Sequence, residues 1–398
     1  MKNLLFLFLL IFIAANLNAE RFAISGSWDK TLKYWDTSTA TNTATFREHY
    51  LPVCSVDISP DGCYVLSADM EGVIIYWELE TKTVLNRLKG HTSSVFSVKF
   101  SPDGTKALSA SWDNTVKYWD LSTGSCIRTM TGHASMVNTV AFFPDGNYAA
   151  SGSCDNTIKL WKLSDGTCIR TLTGHSNYVS SVSISSDGTY ILSGSYDRTL
   201  KYWRFSDGTC IRTMNEHEDA VYSVDISNDN RYALSGSGYR DKSIKYWRLS
   251  DGSCMRTMHG HENGILSVIF SKDDGYGLSG GYDNNIKLWR LSNGTCIDTF
   301  TGHTDHVYSV CYNPTDKSGF NRADGSNAIP SFLIYSYPNP FSTHLSLSLP
   351  SPASIYSLTG QLIMNLAKGK HSIDTSKWKQ GIYIVKSGKE CKRLVKID

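Results

Sequence analysis

Serine, histidine, aspartate and tryptophan crowd together repeatedly along this chain, and that grouping invites nucleophilic chemistry. The stretch 193–203 reads SGSYDRTLKYW, with His175 upstream and His217 downstream. A hydroxyl, an imidazole and a carboxylate in one network can generate a nucleophile, because the imidazole takes the hydroxyl proton while the carboxylate holds the imidazole. The same grouping returns along most of the chain, however. Seven His residues (49, 91, 133, 175, 217, 261 and 303) step by 42, with a single 44, and seven Trp residues (35, 77, 119, 161, 203, 247 and 289) keep the same steps. Seven near-identical copies make poor active sites, and repetition assigns these residues to scaffolding.

Other chemistry finds little support. His259-x-His261 and His303-x-x-His306 are close pairs, but each includes a repeat His. No Cys-x-x-Cys occurs and no second pair of ligands is placed to close a metal site. No Walker loop occurs, and the GYGLSGG of residues 275–281, which matches GxGxxG and GxSxG in letters, is a repeat strand around Ser279 rather than a Rossmann turn or a nucleophile elbow, so no cofactor is implied.

A period of about 42 residues is a repeat architecture. Within one repeat, Tyr178–Ser185 alternates and is β-branched at inner positions, Tyr190–Ser195 is a second run, Thr199–Trp203 a third and Cys210–Met214 a fourth. Ser186-Asp187-Gly188, Asp197-Arg198 and Ser206-Asp207-Gly208 supply the turns. Four short antiparallel strands cannot bury both faces alone, and radial packing of such sheets does so. Phe22–His49 carries three strands of a unit, and Val307–Asn313 carries one. Joining them completes a seventh unit and leaves no free edge. The expectation is an all-β, seven-bladed propeller closed by its N- and C-terminal strands.

The Gly-His pairs 90–91, 132–133, 174–175, 260–261 and 302–303, the SGSxD turn and the terminal Trp resemble the WD40 repeat. The terminal Trp of the repeat is followed by Asp only at Asp36 and Asp120, and Glu48 and Glu216 replace the Gly before His. The resemblance implies one buried network per blade of His, strand Ser, turn Asp and Trp indole: His175, Ser193, Asp197 and Trp203; His91, Ser109, Asp113 and Trp119; His133, Ser151, Asp155 and Trp161. A buried indole N–H and imidazole need such partners. The first Ser of SGS is the better candidate, since it is present in all seven copies, whereas the second becomes Asp69 or Gly281. Glu71 stands where other blades have Asp, which predicts a weaker network there. Two extra residues place Gly238-Tyr239-Arg240 in a longer turn, read first as a tolerated insertion.

The ends differ from the repeats. Lys2 precedes the apolar run LLFLFLLIFIAA, with Ala19 before Glu20, so residues 1–19 read as a signal peptide. The run is short for a membrane span, and none is expected after cleavage. The propeller is assigned to 20–314 and a Gly/Ser/Asn-rich linker to 315–331. Residues 332–398 alternate again and suggest a small β-sandwich. They resemble the C-terminal sorting domain of the type IX secretion system of Bacteroidetes-type bacteria, through Tyr337, Pro338, Asn339 and Pro340, then Leu358-Thr359-Gly360, Gly381-Ile382-Tyr383 and a basic close. That resemblance implies delivery to the cell surface or medium, with the secretion machinery as one partner.

Charge agrees with this division. Residues 332–398 hold nine Lys+Arg against three Asp+Glu, while 20–331 hold 29 against 34. An acidic repeat body is poorly suited to nucleic acid. Cys126, Cys168, Cys210, Cys254 and Cys296 recur at one position and are expected to be small buried residues without bridges, since equivalent positions on radial units lie beyond disulfide reach.

What remains is a binding surface. In the WD40 family, the residue before the turn Asp and the residue opening the first strand point to the rim of one face. Here these include Trp28, Met70, Trp112, Cys154, Tyr196, Arg240 and Tyr282, and Met136, Tyr178 and His306. Exposed Trp, Tyr, Met and Arg are the types that carry interface energy. The reading is a non-catalytic scaffold that holds a protein or peptide on this face. A carbohydrate-binding module on the same ring, and an extracellular enzyme at the channel mouth, stay open as alternatives.

Overall fold

The computed structural model describes residues 22–315 and six strands of the C-terminal region, between 344 and 396. The signal segment, the linker beyond residue 315, Tyr337 to Pro340 and Gly360 lie outside the described residues. The chain divides into two compact units, Met1–Gly319 and Phe320–Asp398.

The first unit consists of seven four-stranded antiparallel sheets. Blade five shows the pattern: Val179–Ile184 innermost, then Tyr190–Ser195, Leu200–Arg204 and, outermost, Cys210–Met214. Tyr190–Ser195 is almost wholly buried because blades cover both its faces, and its apolar residues are followed by Ser-Gly-Ser, which fits where blades approach closely. A Cβ on Gly194 would lie 2.8 Å from methyls of both Val221 and Val224 in the next blade. The last sheet is built from both chain ends, with Val307–Tyr312 pairing antiparallel to Phe22–Ser27. The Asn313 N–H donates to the Phe22 carbonyl at 2.8 Å and seals the seam. This pairing completes the seventh sheet and closes the ring, so that only the short outermost strand of each blade is left as an outer edge.

The seven innermost strands pack one on the next around the axis. A Ser/Thr-Val pair in each of them makes the joint. Val98 N–H donates to Ser55 Oγ, Val140 to Ser97, Val182 to Thr139, Val224 to Ser181, Val268 to Ser223, Val310 to Ser267 and Val56 to Ser309, all at 3.0–3.2 Å. Each hydroxyl thus satisfies an amide that its own sheet leaves unpaired, at a bulge two residues into the strand pairing.

The outermost strands corrected one expectation. Cys126, Cys168, Cys210 and Cys296 are exposed and Cys254 half-buried, not core residues. Among the described residues nothing packs outside the fourth strand, so most of it is exposed and its burial falls chiefly on the final apolar residue, such as Met214. The nine described cysteines are free.

The second unit contains a two-stranded sheet, His344–Leu349 with Gly369–Asp374, and a four-stranded one. Gly381 opens the strand Gly381–Ser387, which lies between Ala353–Ser357 and Glu390–Lys396. The described residues are all-β.

Candidate binding face

Every blade contains the four-residue network. His Nε2 lies 2.6–2.8 Å from the first Ser of the second strand, as for His175–Ser193, His91–Ser109 and His133–Ser151. The Trp Nε1–H donates to that same Oγ at 2.8–2.9 Å, as for Trp203, Trp119 and Trp161. His Nδ1 lies 2.7 Å from Asp197, Asp113 and Asp155 respectively. The bonding is directional: indole N–H to hydroxyl, hydroxyl to Nε2, and Nδ1–H to carboxylate. A neutral imidazole satisfies all of it. Burial pushes the His91, His133, His217 and His303 imidazoles below the ordinary value, although the facing carboxylates pull the other way. Burial likewise acts to raise the Asp113 carboxyl, but hydrogen bonds from His91, Thr115 and the Thr92 N–H outweigh it and hold the group well below its usual range. Ser193, Ser109 and Ser151 are fully buried, and each Oγ already accepts the indole N–H, so no substrate reaches them.

Blade two overturns the expectation of a weak network. His49 Nδ1 lies 2.7 Å from Asp69, not Glu71. Asp69 occupies the second Ser position of SGS, and its other oxygen accepts the N–H groups of Glu71 and Val73, both at 3.0 Å. In blade three those turn contacts are divided between Ser111 and Asp113. One carboxylate moved two residues upstream therefore replaces both side chains, and Glu71 is exposed.

These turns also set the rim. The residue after each turn acid is left-handed: Lys30, Gly72, Asn114, Asn156, Arg198, Lys242 and Asn284 have φ between 53° and 89°. The preceding residue docks its N–H on the carbonyl that opens the first strand, pairing Trp28 with His306, Met70 with Pro52, Trp112 with Ser94, Cys154 with Met136, Tyr196 with Tyr178, and Tyr282 with Gly264. In blade six Gly238, not Arg240, makes this bond to Ala220. The insertion carries Tyr239 and Arg240 outward, and Asp219 ties it down by accepting the Arg240 N–H at 3.0 Å. Arg240 Nε donates to the Tyr239 hydroxyl, and Tyr239 is 55% exposed.

The rim aromatics join into one string through residues that the sequence reading missed. Tyr178 meets Tyr196, Tyr196 meets Tyr222, Tyr222 meets Tyr282, and Tyr282 meets both His306 and Tyr308, with centroids 4.8–6.4 Å apart. Trp28 stacks parallel on Tyr308, which touches Phe96, and Phe96 stacks on Trp112 at 4.2 Å. The Trp112 indole donates to Asn138 at 3.2 Å. Phe96, Tyr222 and Tyr308 each stand directly before a Ser-Val pair, one residue into the first strand, and that position was the available signal. Met136 is half-buried beside Cys154, whose N–H its carbonyl accepts.

Three inner tyrosines of the string are neutral. Burial pushes the Tyr196 hydroxyl up to about 12 and raises Tyr222 and Tyr308 further, with neighbouring phenols adding to the effect. All three stay protonated donors near neutral pH. Tyr178 and Tyr196 are 44% and 41% exposed, and Tyr50 and Leu51, in the loop that leads into blade two, are also exposed.

The WD domain, G-beta repeat family model matches residues 14–36, 40–78, 82–120, 124–162, 166–204, 208–248, 252–290 and 294–318. Eight matches make seven blades because each sequence repeat runs from the outermost strand of one blade through three strands of the next, so the two partial end matches together supply one repeat. The Secretion system C-terminal sorting domain matches residues 335–397 and marks the chain for type IX export, to the cell surface or the medium. No curated relative matches the chain. With seven His-Ser-Asp-Trp networks and repeat matches along most of its length, the chain belongs to the WD40 repeat family.

Proposed function

We propose that the propeller is a non-catalytic extracellular scaffold which holds a protein or peptide on its aromatic face. The observation that carries this reading is the unbroken string of rings from Tyr178 to Trp112 across one mouth, with its Tyr178–Tyr196 end open to solvent. Rigid aromatic surface with neutral hydroxyl donors is the composition of interface hot spots. Aliphatic exposure on the same side favours a protein over a sugar. The loop after His49 reads Tyr-Leu-Pro, where the two residues after the repeat His are polar in every other blade except for Ala134, leaving Tyr50 79% and Leu51 38% exposed beside half-buried Met70. Sugar rings stack on aromatics, but their hydroxyls gain nothing from Leu and Met.

The test is affinity capture from culture medium with the mature full chain and with its Tyr178→Ala/Tyr196→Ala variant. A partner retained by the parent and lost by the variant supports the reading. Equal capture by both, or specific retention on a glycan array with no protein captured, rejects it.

A further inference from the structure

The other mouth of the channel, where the innermost strands end, carries a separate feature. One register position lines the axis there: Asp57, Lys99, Ala141, Ser183, Asp225, Ile269 and Cys311 in blades two to seven and one. Two of these are carboxylates in matching settings. Asp57 Oδ2 accepts the Phe100 N–H of the next blade at 2.8 Å, and Asp225 Oδ2 accepts the Phe270 N–H of its next blade at 2.9 Å.

Their second oxygens differ. Asp57 Oδ1 receives the Lys99 ammonium at 3.0 Å, from the same position one blade on. The residue in that place beside Asp225 is Ile269. Asp225 Oδ1 receives the Ser183 hydroxyl, at 3.1 Å, and among the described residues no ammonium or guanidinium bonds this carboxylate. Lys99 bonds Asp57 and reaches Asp225 by its field alone. In front of Asp225 lies a cavity of about 310 Å³. Ile184, Ile226, Ile269 and Phe270 give it apolar walls, and Asp225 is the one charged side chain among the described residues that line it.

We propose that this cavity is a binding site for a primary alkylammonium group, the head meeting Asp225 and the stem lying along Ile269 and Phe270. The chain contains its own precedent, since Lys99 places an ammonium on Asp57 in the same backbone setting. A half-buried carboxylate against apolar walls, without a bonded counter-ion, is costly, and a cation removes that cost. Burial accordingly pushes the Asp225 carboxyl up to about 6. A divalent metal would need several more oxygen ligands than one carboxylate and a hydroxyl provide. The ammonium comes either from a free aliphatic amine or from a lysine side chain of a partner segment. The site is on the face opposite the aromatic string and does not depend on it.

The test is titration of the mature full chain with n-butylammonium, Nα-acetyl-lysine amide and n-butanol, followed by NMR or calorimetry. Saturable binding of either ammonium, with n-butanol at least about tenfold weaker, is the expected result. Asp225→Asn should weaken ammonium binding by a similar factor. Ile269→Lys should abolish it by filling the site from within, and should raise the melting temperature. That variant carries the test if Asp225→Asn fails to fold. Butylammonium binding as tight as acetyl-lysine amide identifies free amines as sufficient, whereas preference for the amide identifies a lysine side chain. No saturable binding, equal binding of n-butanol, or unchanged binding in Ile269→Lys overturns the proposal. Tyr178→Ala/Tyr196→Ala should leave the titration unaltered, so failure here is distinguishable from failure of the aromatic face.

Discussion

His49 Nδ1 and Asp69 Oδ2 lie 2.7 Å apart, both buried, and this pair maintains blade two without the turn aspartate of its six neighbours. The imidazole requires a carboxylate acceptor, but the backbone allows that acceptor to come from either of two places. Asp69→Ser should therefore destabilise the propeller by about 3 kcal/mol, because a buried imidazole N–H and the Val73 amide lose their acceptor, while a serine hydroxyl keeps the Glu71 amide as Ser111 does in blade three. Glu71→Asp alone should change little. The double variant Asp69→Ser/Glu71→Asp restores the pattern of the other blades and should recover most of the loss. Thermal melts of the three variants check this; a double variant no better than Asp69→Ser would break the equivalence.

Acid should destabilise the fold in two stages. His91, His133, His217 and His303 have folded values below their ordinary 6.5, so below that pH the unfolded chain binds protons that the folded chain does not. Stability from these groups is complete above about pH 7 and falls as pH drops, by about 1.4 kcal/mol per pH unit for each His while its folded form stays neutral. Asp29, Asp113, Asp155, Asp197, Asp241 and Asp283 also have depressed folded values; their contribution persists above the ordinary 3.8 and is lost as pH falls below it. Denaturant melts from pH 8 to 4 should show a decline that starts between pH 7 and 6; a flat profile down to pH 5 would contradict the neutral-imidazole assignment.

Arg198 holds φ = 69° in the blade-five turn, at the position where blade two has Gly72. A left-handed conformation costs a side chain about 1 kcal/mol, part of which Gly returns as lost unfolded-state freedom. Arg198→Gly should stabilise the protein by about 0.5 kcal/mol in chemical denaturation, and a loss of stability would contradict this assignment of turn strain.

Trp112 and Tyr196 should respond differently to truncation, although both lie on the rim. Trp112 is stacked on Phe96 at 4.2 Å and bonded to Asn138, so Trp112→Ala should lower stability by about 2–3 kcal/mol as well as binding. Tyr196 is 41% exposed, and Tyr196→Ala should cost binding with no more than about 1 kcal/mol of stability. Melting both variants beside the capture assay separates the two effects.

Removal of residues 332–398 should leave the propeller short of the cell surface, since the matched sorting region goes with them. Fractionation of expressing cells checks this, and undiminished surface delivery would mean that export is directed elsewhere.

The period of the Trp and His residues was enough to determine a seven-bladed closed propeller. Each repeat is one sheet that must bury its faces on its neighbours, and the unequal ends can only complete each other. The buried networks were legible for the same reason, because a Trp, Ser, His and Asp at constant spacing meet the same partners in every blade. Three-dimensional packing decided the rest. Asp69 replaced Glu71 because hydrogen bonding depends on where a carboxylate lies, and two positions in the turn reach the same imidazole. The repeat cysteines lie outside because periodicity shows which positions are equivalent but not which strand has no neighbour. Phe96, Tyr222 and Tyr308, together with the contrast between Lys99 at Asp57 and Ile269 at Asp225, emerge only once seven distant strands share one axis. Residues about 42 positions apart become neighbours there, so what each repeat presents to the channel depends on what the adjoining repeats place beside it.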